Sequence, residues 1–133
     1  MIVIDTNIIA YLHIDGELTQ QAINLLIKDS HWIAPPLWRS EFRNILINYV
    51  RHNVLTLEAA QRLMQSALVT MNEKDISPSN DLILLLSANS TSSAYDCEFV
   101  ALAQEIGCKL VTADKQIVRN FPGTAISLEE FTK

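Results

Sequence analysis

Four carboxylates carry the chemical content of this 133-residue chain: Asp5, Glu41, Asp96 and Asp114. Asp5 directly follows the apolar run Met1 to Ile4, and Asp114 stands two residues past Thr112, at the end of a second apolar run. Glu41 lies four residues from both Leu37 and Ile45, and Asp96 lies three, four and seven residues from Phe99, Val100 and Ala103. On helices those spacings place both acids on or beside a core-facing stripe. A carboxylate there is costly if charged and unpaired, so it calls for a partner or a cation. Each acid alone has an ordinary explanation: a helix cap for Asp5 and Asp114, a favourable first-turn position for Asp96, a rim ion pair with an Arg for Glu41. Together they can converge on one cleft, where like charges raise each other's pKa unless something positive sits among them. An all-oxygen donor set suits a hard cation, Mg²⁺ or Mn²⁺, and not zinc. Such an ion polarises a phosphate, lowers the pKa of bound water and steadies a leaving oxygen.

The elements that must position these acids follow from apolar periodicity. Strands are expected at Met1 to Ile4, His31 to Ala34, Lys109 to Thr112 and Thr124 to Ile126, with a weaker extended piece at Lys74 to Pro78. Between them the pattern predicts a first helical turn or two around Ile8, Ile9 and Leu12, then an amphipathic helix through Ala22, Leu25 and Leu26. A third helix runs from Pro36 to about Arg51, with Phe42, Ile45, Leu46, Tyr49 and Val50 inward. Thr56 is the expected N-cap of a helix through Leu68, and Ser79 or Asn80 caps Asp81 to Ala88. Gly107 ends a helix over Ala94 to Ile106, and shorter helices follow at Lys115 to Asn120 and Leu128 to Phe131. Strands alternating with helices imply one α/β domain over residues 1–133, a three-layer α/β/α sandwich around a mainly parallel sheet of about five short strands. In such sheets ligands bind beyond the carboxyl ends of the strands, where Asp5 and Asp114 fall.

Composition narrows the class. Hydrophobic residues make up 49% and charged residues 19%, which excludes a disordered or fibrous chain. Cys97 and Cys108 suit neither a disulfide framework nor a structural zinc site, so a reduced, cytoplasmic setting is expected. No apolar run is long enough for a transmembrane or secretory segment. The net charge of −5 lacks the basic signature of a nucleic-acid binder. Setting aside four acids neutralised by metal removes most of that excess, and a phosphodiester substrate becomes compatible with it.

Asp5-Thr6-Asn7 after an apolar strand, Ser40-Glu41 opening a helix, the run Tyr95 to Ala103, and Leu110-Val111-Thr112-Ala113-Asp114 resemble the PIN domain, in order and over almost the whole chain. Length and start are similar to the VapC-type toxins of toxin–antitoxin pairs. The resemblance implies a metal-dependent endoribonuclease that uses Mg²⁺ or Mn²⁺. Asp5, Asp96 and Asp114 would be the main ligands, and Glu41 would bind a second ion or orient the attacking water. Asn7, Ser40 and Thr112 would hold the carboxylates in place. It further implies an RNA substrate, a homodimer and a VapB-like antitoxin. Where some members carry a further acid, this chain has Lys115 and Gln116.

Arg39, Arg43, Lys115 and Arg119 are candidate contacts to RNA phosphates, against the alternative of solvated surface charge. Trp38, off the apolar stripe, is a candidate interface or substrate contact, and Glu98 is expected on a different, solvated face. Two rival functions fit the same acids: an RNA-processing PIN nuclease without an antitoxin, and a Mg-binding receiver-like signalling domain. The second wants adjacent acids after the first strand, where this chain has Thr6 and Asn7, and an Asp ending the third, where it has Ser77-Pro78.

Overall fold

The computed structural model describes residues 1–133. Four strands, β1 (Ile2–Ile4), β2 (Trp32–Ile33), β3 (Leu110–Thr112) and β4 (Ala125–Ser127), form one parallel sheet in the order β2-β1-β3-β4. Ile2, Val3 and Ile4 are all buried, as a strand covered on both faces requires. Eight helices complete the three-layer sandwich: α1 (Thr6–His13), α2 (Thr19–Lys28), α3 (Leu37–Arg51), α4 (Leu57–Thr70), α5 (Asn80–Ala88), α6 (Ala94–Ile106), α7 (Lys115–Asn120) and α8 (Leu128–Phe131). From β1 the chain moves to β2 on one side, and the later strands build outward on the other. The switch point therefore lies between β1 and β3, where a crevice opens at the carboxyl ends of an α/β sheet.

Helix boundaries follow local chemistry. The Thr56 side chain accepts from the Ala59 N–H at 3.1 Å, and Ser79 and Ser93 cap α5 and α6 in the same way. Gly107 closes α6 with φ of 80°, a left-handed conformation that glycine adopts without steric cost.

Three expectations are corrected. The sheet has four strands, because Lys74 to Pro78 contributes a single bridge, Ala34 to Asp75. Asn72 and Glu73, at φ of 58° and 53°, turn the chain just before it, and Pro78 has no N–H to extend a ladder. Trp38 is fully buried and not an interface contact: its ring packs near Phe42, and its indole N–H donates to Asp75 Oδ1 at 2.7 Å. Tyr49, expected inward, is 38% exposed, because it borders an open cavity between α1 and α3. Cys97 and Cys108 are both free thiols, and no helix is long and apolar enough to cross a membrane.

Candidate active site

Asp5 leaves β1 and occupies the N-cap position of α1, yet its side chain makes no capping hydrogen bond. Its Oδ2 instead accepts from the Thr112 hydroxyl at 2.7 Å. The same Thr112 oxygen accepts from the Asp114 backbone N–H at 3.0 Å, so one buried hydroxyl organises the ends of both central strands. Asp114 caps α7, with Oδ1 accepting from the N–H groups of Gln116 at 2.8 Å and Ile117 at 3.3 Å. Thr6, buried at the start of α1, donates to Glu41 Oε1 at 2.7 Å and so ties α1 to α3. Asp96 stands in the first turn of α6, where the Ser93 cap accepts its backbone N–H at 3.0 Å.

Burial pushes Asp5 up to about 6 despite the Thr112 hydrogen bond, and the charges of Glu41 and Asp96 add to the rise. Glu41 is raised by burial, partly offset by Thr6, with Asp96 and Glu98 adding to it. Burial also raises Asp96, and the Asp114 charge pushes the same way. The four acids thus lie in one mutually repelling field. None is paired with a cation: the ion pairs of the protein are Met1 N-terminus to Asp29, Arg39 to Asp75 and Lys133 to Glu130. No three Asp, Glu, His or Cys side chains form a ready-made coordination shell. What the acids offer is an all-oxygen donor set with unneutralised negative charge, which fits a hard divalent ion such as Mg²⁺ or Mn²⁺.

The expected supporting residues divide. Thr112 holds Asp5 as the sequence suggested. Ser40 Oγ accepts from Arg43 Nη2 at 3.0 Å and touches no carboxylate, while Asn7 is exposed and lines the α1–α3 cavity. Arg39 is turned away from the acids, 2.6 Å from Asp75 and bonded to the Glu73 carbonyl. Arg43, Lys115 and Arg119 are exposed. Two residues at the site were given no role there by the sequence. Thr6 sits inside the Asp5-Thr6-Asn7 motif, a signal that was visible. Glu98, expected to be solvated, is partly buried, is raised by that burial and is felt by Glu41. Residues two apart on a helix do not share a face, so no periodicity could have brought Glu98 to the site.

The PIN domain family model matches residues 2–121. Ribonuclease VapC3 of Pyrobaculum aerophilum is 25% identical over 124 residues, covering 91% of this chain and 95% of that protein. The crystal structure of PAE2754 from Pyrobaculum aerophilum is similar in fold, with a TM-score of 0.78 over 98% of this chain and 92% of that one at 20% identity.

Proposed function

Because the chain belongs to the PIN domain family, we propose that it is a Mg²⁺- or Mn²⁺-dependent endoribonuclease, the toxin of a VapBC-type module. One observation carries the reading above all: a half-buried Asp5, free of capping duty and unpaired with any cation, lies at the β1–β3 switch point among the charges of Glu41 and Asp96. Similarity to a protein named Ribonuclease VapC3 supports RNA as the substrate.

Asp5, Asp96 and Asp114 are the residues to hold the ion, with Glu41 beside them. When bound, Mg²⁺ or Mn²⁺ supplies charge to polarise the phosphodiester and to lower the pKa of water. Thr112 fixes the Asp5 carboxylate and Thr6 fixes Glu41, so neither must be ordered during the reaction. Glu41, with its pKa raised, accepts the proton of the attacking water as the water oxygen adds in line to phosphorus and the opposite P–O bond breaks. Lys115 and Arg119, exposed on the helix that Asp114 caps, and Arg43, exposed on α3, are the cations we assign to flanking phosphates. A VapB-like antitoxin peptide over the acids, a homodimer and a cytoplasmic location complete the reading.

Cleavage of a panel of structured RNAs, with Mg²⁺, Mn²⁺ or EDTA and beside Asp5→Asn and Asp96→Asn, tests it. Metal-dependent cutting lost in both folded variants is expected. Intact RNA under all conditions, with acetyl phosphate labelling an aspartate instead, would replace it with the signalling reading.

A further inference from the structure

The seam between α1 and α3 continues beyond the acids. From the Thr6–Glu41 hydrogen bond it runs toward the far end of α3 and opens into a cavity of about 350 Å³ under the α1–α2 loop. Asn7 and Tyr11 line it from α1, Ile45 and Tyr49 from α3, and Asp15 and Glu17 from the loop. Ile45 and Tyr49 lie one and two helical turns past Glu41, so the cavity begins about 6 Å along α3 from the acids. Tyr11, one helical turn past Asn7 on α1, brings a phenol to the wall of the cavity.

We propose that this cavity takes an unpaired nucleobase bearing an amino group, from the RNA strand whose backbone crosses the acids. The proposal rests on the nuclease reading and adds a determinant of sequence preference to it. The volume admits a heterocycle: Tyr11, Tyr49 and Ile45 supply aromatic and apolar lining, and Tyr49 remains 38% exposed although it is aromatic. Base stacking on aromatic rings is the usual way in which single-stranded RNA is held. No Lys or Arg lines the cavity, and two loop carboxylates do, so a phosphate is repelled and an N–H-bearing edge is accepted. Adenine, cytosine and guanine each carry an exocyclic amino group with two N–H donors, whereas uracil offers a single ring N–H between two carbonyls that the carboxylates repel, so uridine is the base held most weakly. Asn7, exposed at the mouth and next but one to Asp5, offers an amide that donates and accepts.

The test separates the cavity from the chemistry. Adenosine, cytidine, guanosine and uridine, which lack any phosphodiester, are titrated into the isotope-labelled protein while amide resonances are followed. Shifts at Asn7, Tyr11, Gly16 and Tyr49 with the three amino-bearing nucleosides, and weaker shifts with uridine, are expected. In RNA cleavage, Tyr49→Ala is expected to raise KM about tenfold with kcat within about twofold and to flatten the base preference, while Tyr49→Phe stays near wild type. Unmoved cavity resonances, or an arginine-rich peptide that moves them where nucleosides do not, would overturn the proposal. So would a Tyr49→Ala variant with unchanged KM and cleavage pattern. Nucleosides that bind with this preference in a protein that cuts no RNA would keep the base site and remove the nuclease reading.

Discussion

Asp5 and Asp114 occupy equivalent places in the fold and are used differently. Each follows a short buried strand, the two strands are parallel neighbours, and each residue stands at the N-cap of the next helix. Asp114 spends Oδ1 on the N–H groups of Gln116 and Ile117, whereas Asp5 makes no such cap and is held through the Thr112 hydroxyl and the neighbouring Thr6 backbone N–H. α1 starts without that side-chain help, and its place is secured by burial of Ile8, Ile9 and Ala10 and by the Thr6–Glu41 hydrogen bond. The six-residue α7 buries only Ile117 and leans on its cap. A longer, better-packed helix spares its N-cap aspartate from capping; a short one takes one of that residue's two oxygens for the cap and leaves the other for chemistry.

The strongest way to break that comparison is activity. Asp5→Asn is expected to cut RNA cleavage about a thousandfold or more, several kcal/mol of lost transition-state stabilisation. Asp114→Asn, which keeps the cap, should lose about a hundredfold, since its Oδ1 already accepts from two backbone N–H groups of α7. Equal losses measured as kcat/KM would erase the distinction.

Stability of the metal-free protein gives the next largest effect, with the opposite sign. Asp5 is raised from 3.8 to about 6, and at about 1.4 kcal/mol per unit its ionisation costs at most about 3 kcal/mol. Because the folded state binds the proton more tightly, stability falls as pH rises from about 4 to 6, and the deficit persists above that. Asp5→Asn removes it: in EDTA the variant should be more stable than wild type at pH 7 and equal to it near pH 4. Thermal melts at the two pH values check this, and a variant less stable than wild type at pH 7 would contradict it. Added Mg²⁺ or Mn²⁺ should stabilise the wild type and not the variant.

Smaller losses come from the hydroxyls that hold the acids. Thr112→Val and Thr6→Val are each expected to reduce cleavage about ten- to a hundredfold while the protein stays folded. Thr112→Ser, which keeps the hydroxyl, should recover most of the activity. A Thr112→Val enzyme with normal kcat/KM would show that Asp5 needs no fixing.

Much of this arrangement was legible in the sequence, for definite reasons. The strands before Asp5 and Asp114 are apolar runs and the N-caps of α4, α5, α6 and α8 are Thr or Ser, so local chemistry announces both. The acids were visible because a carboxylate after an apolar run or on an apolar stripe is conspicuous. What escaped was set by tertiary contact. Trp38 is drawn into the core by Asp75, thirty-seven residues away, and the same Asp75 turns Arg39 from a candidate RNA contact into the anchor of a bend. Glu98 reaches Glu41 only because α6 packs beside the site, and the segment from Lys74 fails as a strand because the turn before it aligns one residue with Ala34.

The smallest effect is the most direct measure of how the two aspartates differ. Asp114→Ala removes two hydrogen bonds from the first turn of α7 and should cost about 1 kcal/mol in the metal-free protein, a few degrees in Tm. Asp114→Asn should cost almost nothing, because an amide oxygen caps as well as a carboxylate. Asp5→Ala should show no such cost, because that side chain makes no capping hydrogen bond to α1 beyond the adjacent Thr6 N–H, and relief of the desolvated charge should outweigh the lost Thr112 and Thr6 contacts. The four melts, in EDTA at pH 7, therefore order as Asp5→Ala above wild type, Asp114→Asn level with it and Asp114→Ala below. A reversed position of Asp5→Ala would mean that Asp5 is structural after all, with its carboxylate needed for the fold before it is needed for chemistry.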